Sequence, residues 1–195
     1  KDHVGGAAAL IREIEVGQIL IPDYEGEGKE YREFQKAASE KKLYIKKLDE
    51  NITFSLGNGL ITVEPPDSYS IEETEKEYDN NFSLLTWVEY GDNHLFFAGD
   101  MEKERIWQWL SIRKNQTCDF LKVPHHGVYN EALGELLDSL KPSYAAICCS
   151  DKNPAEDKTL KLLQDNSITV YQTSGGTIRV VSNGKKLEIS QGRER

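Results

Sequence analysis

Asp119-Phe-Leu-Lys-Val-Pro-His125-His126-Gly127 is the stretch around which the rest of the sequence can be interpreted. An apolar run from Cys118 to Val123 has the length and composition of one buried strand, and Pro124 ends it. The two histidines therefore follow a core strand directly, on a loop where a rigid scaffold can hold a metal ligand or an acid–base group. The chain contains four histidines in all, so half of them lie in this one loop.

A histidine pair in a loop is more often hydrogen-bonded or solvated than bound to metal, so other fragments must support a site. A second apolar strand, Leu95-Phe-Phe-Ala-Gly-Asp100, ends in Gly-Asp. Asp2-His3-Val4-Gly5-Gly6 precedes a helix-like segment near the start of the chain. Three separate elements thus place Asp or His beside Gly. Carboxylate and imidazole together form a ligand set for zinc, manganese or iron.

Hydrophobic periodicity and turn signals predict a layered α/β domain in which helices alternate with strands and hairpins. Gly57-Asn58-Gly59 and Asn183-Gly184 are the clearest hairpin signals. The polar segment Glu64 to Asp79 is expected to be a loop, either a plain connector or a border of the active site. The predicted helices are Ala7–Glu15, Glu30–Lys42, Glu102–Arg113, Asn130–Leu140 and Glu156–Gln164. The predicted strands are Gln18–Ile21, Leu43–Leu48, Ile52–Leu56, Leu60–Val63, Leu84–Tyr90, His94–Ala98, Cys118–Val123, Ser143–Cys149, Ile168–Gln172, Thr177–Ser182 and Lys185–Ile189.

The order DHVGG, NNFSLL, LFFAGD, LKVPHHG resembles the metallo-β-lactamase superfamily. Within that superfamily it is most similar to the ComEC-type metallo-hydrolase domain of DNA-uptake competence proteins. The resemblance extends from residue 1 to about residue 185. It implies a four-layer αββα sandwich, with one domain over residues 1–190 and a disordered tail at 191–195.

The family motif His-x-Asp-x-Asp-His-x-Gly-Gly is only partly present. Asp2 and His3 match its last Asp and His, whereas the earlier His and Asp have no counterpart in this chain. We therefore expect part of one sheet, and up to half of the first metal's ligands, to be missing from this sequence.

The resemblance also implies roles for individual residues. It gives the metal ligands as Asp2, His3, Asp100 and His125, and the catalytic residues as Asp2, Asp100 and His126. His126 is expected to contact the metal ligands, or to exchange roles with His125. Asp100 would bridge two metals, and its position also fits a helix N-cap.

The substrate-lining residues implied by the resemblance are Asn80, Asn81 and Gly127. The cofactor is a divalent metal, Zn²⁺ before Mn²⁺, with two ions in an intact site and one or none in this chain. Two ions that share a hydroxide would activate it for attack.

The expected reaction is phosphodiester hydrolysis of a nuclease-like kind. The alternatives are hydrolysis of a small ester, lactone or thioester, or a catalytically inactive relative that binds metal or has a structural role. Val128 replaces the Ser that follows His-His-Gly in relatives, and residues 151–157 lack the His that many relatives carry there. We therefore expect little activity from this chain, and hydrolase activity from its full-length parent.

Composition and net charge indicate which substrates and which cellular setting the chain is suited to. With a net charge of −9, the chain lacks the basic balance of a protein that grips duplex DNA through its phosphates. The expected substrate is a small phosphodiester, an ester or a single-stranded nucleic acid.

No apolar run approaches the roughly 18 residues of a membrane span. The three cysteines, Cys118, Cys148 and Cys149, are expected to be buried free thiols, and their odd number favours a reducing cytoplasm.

Overall fold

The chain divides into two compact units, residues 1–50 and 51–195, where the sequence predicts one domain over 1–190. In a computed structural model of the chain, residues 3–71, 77–113 and 116–192 are described. Both units combine helices with β-structure, so the predicted α/β class is confirmed. Within the described ranges, no helix is long and apolar enough to cross a bilayer.

The first unit is a small β–α–β arrangement with an additional helix at its start. Its elements are α1 (Ala7–Glu13), β1 (Ile19–Pro22), α2 (Lys29–Glu40) and β2 (Ile45–Leu48). The two strands pair in parallel, and α2 connects them. Ile11, Phe34 and Ala37 are buried where the two helices pack on each other. An apolar stripe on each helix supplies this core.

The second unit is built on a seven-stranded sheet. The strands of this sheet are β3 (Ile52–Leu56), β4 (Gly59–Glu64), β5 (Leu85–Tyr90), β6 (Asn93–Phe97), β7 (Phe120–Lys122), β8 (Tyr144–Ile147) and β9 (Thr169–Gln172). They lie side by side in chain order. Pairing is antiparallel from β3 to β6 and parallel from β6 to β9. The parallel half places the carboxyl ends of its strands at one edge.

Both faces of this sheet are partly covered within the second unit. Helices α3 (Lys103–Ile112), α4 (Leu133–Leu140) and α5 (Asp157–Asp165) cover one face. The hairpin of β10 (Thr177–Ser182) and β11 (Leu187–Gly192) packs its apolar residues on the other. Helices, large sheet and small sheet thus form three successive layers.

Two strands are shorter than predicted, because their flanking residues bond elsewhere. The Cys118 N–H donates to the Leu140 carbonyl at 2.9 Å, and the Cys149 N–H donates to Thr173 Oγ1 at 2.8 Å. Cys148 is exposed instead of buried in β8, and Cys118 is buried. Burial raises the pKa of the Cys118 thiol to about 12.

The chain ends also differ from expectation. Strand β11 continues to Gly192, inside the segment predicted to be a tail, and residues 193–195 lie outside the described ranges. Ser182 pairs with Leu187, so the second strand of the terminal hairpin begins two residues later than the predicted Lys185–Ile189, and it ends three residues later, at Gly192.

A buried ionic network fixes the beginning of the predicted loop Glu64–Asp79 to α3. The Asp67 carboxylate accepts from Arg105 at 2.7 Å and from Arg113 at 2.8 Å. Glu64 accepts from Arg113 Nε at 3.0 Å and from Trp109 Nε1 at 3.1 Å. The Arg105 side chain is fully buried. Because a buried guanidinium needs a carboxylate partner, this network holds the loop and the helix together.

Asp67→Asn is predicted to lower the free energy of unfolding by about 3 kcal/mol, because it leaves the buried Arg105 charge uncompensated. Urea unfolding at pH 7 measures this loss. The matched control is Asp165→Asn, which breaks the exposed pair of Lys161 and Asp165. That control should cost less than about 1 kcal/mol. Equal losses in the two variants would contradict the assignment.

The same substitution has a predicted pH dependence. Burial alone would raise the pKa of Asp67, but the hydrogen bonds from Arg113 and Arg105 outweigh it, so the pKa lies below its usual value. The stabilisation is therefore complete above about pH 4, the pKa in the unfolded chain, and is lost as the pH falls through the folded-state pKa. The stability difference between wild type and Asp67→Asn should shrink in acid.

Candidate functional site

The candidate site lies where two neighbouring parallel strands end. Phe97 at the end of β6 pairs in register with Lys122 at the end of β7. Gly99-Asp100 follows the first strand, and the His125–Gly127 turn follows the second. The His125 N–H donates to the Gly99 carbonyl at 3.3 Å. Parallel pairing therefore brings together two loops that are more than twenty residues apart in the chain.

Asp100 is the central carboxylate of this edge. Its side chain is only 6% exposed. Oδ2 lies 3.3 Å from His126 Nε2, and Oδ1 lies 3.2 Å from Lys122 Nζ. The Asp100 N–H donates to Ser83 Oγ at 3.0 Å, which fixes the backbone of the turn. The two carboxylate oxygens thus face two different partners.

His126 is oriented by its second ring nitrogen. Nδ1 lies 2.7 Å from the Cys148 carbonyl oxygen. A carbonyl only accepts, so Nδ1 carries the proton and donates. In the neutral ring, Nε2 then directs its lone pair at the Asp100 carboxylate. Because the lone pair and the carboxylate oxygen are both electron-rich, a cation between them is favoured. A histidine that binds a metal usually donates its other ring N–H to a carbonyl or a carboxylate, as His126 does here. These two donors fit a divalent metal.

His125 contacts a different pair of carboxylates. Nδ1 is paired with Glu102, and Nε2 lies 3.0 Å from Glu77 Oε2. The hydrogen bond that His125 donates to the Glu102 carboxylate raises the pKa of His125 and outweighs the opposing effect of burial. The ligand-type atoms of these three side chains lie within 4.8 Å of one another. Since the two carboxylates flank opposite ring nitrogens, an imidazolium between two carboxylates accounts for the cluster.

The structure therefore places His126, instead of His125, beside Asp100. The sequence favours His125 as the ligand because it is closer to the end of β7, and it allows the two histidines to exchange roles. The exchanged arrangement is the one that these distances support. The reason is the backbone: His125 and His126 have φ values of 42° and 54°, and Gly127 has 80°. Three left-handed residues in succession turn the rings away from the directions that an extended strand would give.

The sequence also predicts Asp2, His3, Asn80 and Asn81 at the site. Asp2 lies outside the described ranges, and His3 is an exposed residue of the first unit. Asn81 is fully buried, and its Oδ1 accepts from the Arg105 N–H at 3.1 Å. Asn81 thus satisfies a backbone N–H in the first turn of α3, although it lies 24 residues away along the chain. Asn80 is half-buried in the neighbouring 3₁₀ turn.

Lys122, Ser83, Glu77 and Glu102 are contacts of the site that sequence reasoning did not identify. Lys122 gave a visible signal, because it interrupts the apolar run Phe120-Leu121-Lys122-Val123. A charged residue inside a core strand needs a partner, and Asp100 is that partner. The two glutamates and Ser83 gave no comparable signal, since they come close to the site only through the fold.

The chain is similar to known proteins in sequence and in fold. The profile of the Metallo-beta-lactamase superfamily matches residues 2–151. ComE operon protein 3 of Bacillus subtilis is 30% identical over 187 residues, which are 92% of this chain and 23% of that protein. Recombination protein 2 of Haemophilus influenzae is 24% identical over an alignment of 196 positions, which covers 98% of this chain and 22% of that protein. The chain thus spans about a quarter of the length of these relatives.

A solved structure, the CmlA beta-hydroxylase E377D mutant, superposes with a TM-score of 0.50 at 14% identity. The superposition covers 83% of this chain and 39% of that one. At this identity the likeness concerns the fold alone.

Gly127→Ala is predicted to destabilise the protein, because Gly127 has a left-handed φ and its Cβ would lie 2.8 Å from the Ala155 Cβ. The expected loss is roughly 1–3 kcal/mol. The control is Gly134→Ala on α4, where an added Cβ meets nothing within 4 Å. That change should stabilise the helix by up to about 1 kcal/mol. Chemical unfolding of both variants measures the two effects, and a neutral Gly127→Ala would contradict the tight packing of the loop.

Proposed function

We propose that this chain, which belongs to the metallo-beta-lactamase superfamily, uses a divalent metal ion to hydrolyse phosphodiester bonds. The observation that carries the proposal is the approach of His126 Nε2 to Asp100 Oδ2, with His126 Nδ1 held by the Cys148 carbonyl. Because the ring is oriented by the backbone, both donors are arranged before a metal binds. Preorganised donors of this type cost little reorganisation when the ion arrives.

The proposed ligands are Asp100 and His126. Asp2 and His3 are proposed as further ligands because they match the sequence motif. Imidazole and carboxylate donors suit Zn²⁺, and Mn²⁺ is the alternative. When bound, such an ion lowers the pKa of a water molecule and stabilises negative charge on oxygen.

The residues of the chain supply the rest of the proposed chemistry. Asp100 offers Oδ2 to the ion and keeps Oδ1 on Lys122. His126 stays in one tautomer because its Nδ1 proton is engaged. The contacts of His125 with Glu77 and Glu102 stabilise the turn that carries His126. These contacts keep the two donors in place during turnover.

The choice of a phosphodiester rests on the relatives. One is called a ComE operon protein and the other a recombination protein, and recombination concerns nucleic acid. The net charge of −9 argues against a duplex held along its backbone. A short or single-stranded substrate at the metal is therefore proposed. The same acidic charge favours the second candidate, a small ester, lactone or thioester.

The odd number of cysteines supports a reducing, cytoplasmic setting.

Asp100→Ala and His126→Ala are each predicted to abolish metal retention, measured by elemental analysis of protein purified without chelator. We expect about one equivalent of zinc or manganese in the wild type, since one carboxylate–imidazole set holds one ion. Hydrolysis of bis(p-nitrophenyl) phosphate should fall by more than the roughly 100-fold that loss of an outer contact costs. Asp138→Ala and His94→Ala, outside the site, serve as controls and should leave both quantities unchanged.

The outcomes separate the candidates. Turnover of p-nitrophenyl acetate or a thioester, with none of the phosphodiester, would favour the small-ester candidate. Metal retained by Asp100→Ala would contradict the assigned ligands. A metal-free wild type without turnover would favour a non-catalytic relative.

A further inference from the structure

We infer that Lys122 is a positioning residue, which holds the Asp100 carboxylate in the orientation that presents Oδ2 to a metal ion on His126. This inference rests on the proposed function. Lys122 does not touch His126 in the contacts described, so any effect on the metal passes through Asp100. The inference is based on the two contacts of the buried Asp100 carboxylate. Its Oδ1 lies beside the Lys122 ammonium, and its Oδ2 lies beside the His126 imidazole.

The position of Lys122 follows from the sheet. Lys122 is the last residue of β7, and its register partner on β6 is Phe97. Gly99 and Asp100 come immediately beyond that partner. Lys122 Nζ lies 2.7 Å from the Gly99 carbonyl and 3.2 Å from Asp100 Oδ1. Its side chain is only 13% exposed, so the pair is shielded from water. A shielded pair is stronger and more directional than a surface pair.

The Gly99 carbonyl connects both loops of the site. It accepts from Lys122 Nζ and also from the His125 N–H at 3.3 Å. The ammonium therefore fixes the carboxylate and the backbone of its turn together. Ser83 Oγ holds the Asp100 N–H from the other side. Ser83 thus holds the backbone of the turn, and Lys122 restricts rotation of the carboxylate.

Packing alone does not explain a lysine at this position. Its neighbours Phe120, Leu121 and Val123 are buried apolar residues. An apolar side chain would fill the same space without the cost of desolvating a charge, and such replacements of buried ion pairs are often neutral or stabilising. The charge is useful here because it holds the Asp100 carboxylate in one orientation.

The positive charge has two opposite effects on metal binding. Repulsion between the ammonium and the ion weakens binding, whereas fixing the carboxylate strengthens it. The inference is that orientation dominates. Loss of the ammonium should then weaken metal binding, although the local charge becomes more favourable for a cation. This sign distinguishes positioning from a purely electrostatic effect.

Co²⁺ binding to the 195-residue chain tests the inference, with the visible absorption of the bound ion and competition against a chromogenic chelator as readouts. Lys122→Met should bind Co²⁺ roughly tenfold or more weakly than wild type. Lys122→Arg keeps a charged donor and should recover most of the affinity. Lys161→Met is the matched control, since it removes an exposed lysine paired with Asp165, and it should bind as the wild type does.

The results separate this inference from the proposed function. No Co²⁺ binding by the wild type would overturn the proposed function, and the inference with it. Binding by the wild type with equal or tighter binding by Lys122→Met would overturn the inference alone. Crystal structures of the metal-free wild type and Lys122→Met give an independent test. The Asp100 Oδ2 to His126 Nε2 separation should exceed about 3.5 Å in the variant, and an unchanged carboxylate would overturn positioning.

Discussion

The parallel pairing of β6 with β7 is the constraint on which the candidate site depends. Three residue pairs, from Leu95–Phe120 to Phe97–Lys122, set the register of these strands. A shift of one residue would move Lys122 to the opposite face of the sheet and away from Asp100. The register is held because Phe96 and Leu121 are fully buried against the helices on one face. The hydrophobic core thus fixes the distances between polar groups at the edge.

Paired charges extend from this edge through α3. Asp100 precedes the helix and is shared by a lysine and a histidine. Glu102, at the N-cap position of α3, pairs with His125. Farther along the helix, Arg105 and Arg113 share Asp67. A single helix therefore connects the candidate metal ligands to the loop after β4. Buried charges that each need a partner make this connection specific, since a shift of the helix would leave several of them unpaired.

Sequence patterns predict the parts of this structure that depend on local chemistry. Alternating apolar residues and Gly57-Asn58-Gly59 identify the first hairpin of the large sheet correctly, and Gly99-Asp100 and His125–Gly127 are correctly identified as strand ends. The two histidines illustrate the limit, because their directions depend on left-handed φ values, which are uncommon for any residue other than glycine. Asn81 is a second case: its amide is bound by a helix that lies more than twenty residues away in the chain. Such roles come from tertiary contacts, which periodicity does not encode.

The acidic character of the chain and a phosphodiester substrate are compatible because they act over different distances. A net charge of −9 governs long-range attraction to a polyanion, which salt screens within about 10 Å. At the site itself, Lys122 neutralises part of the Asp100 charge, and the pKa of His125, which lies between Glu77 and Glu102, is raised by its hydrogen bond to Glu102. The carboxylates near the site therefore repel a phosphate less than their number suggests. With a cation at the proposed site, such compensation would let the proposed phosphodiester approach, while the acidic charge would disfavour a long duplex.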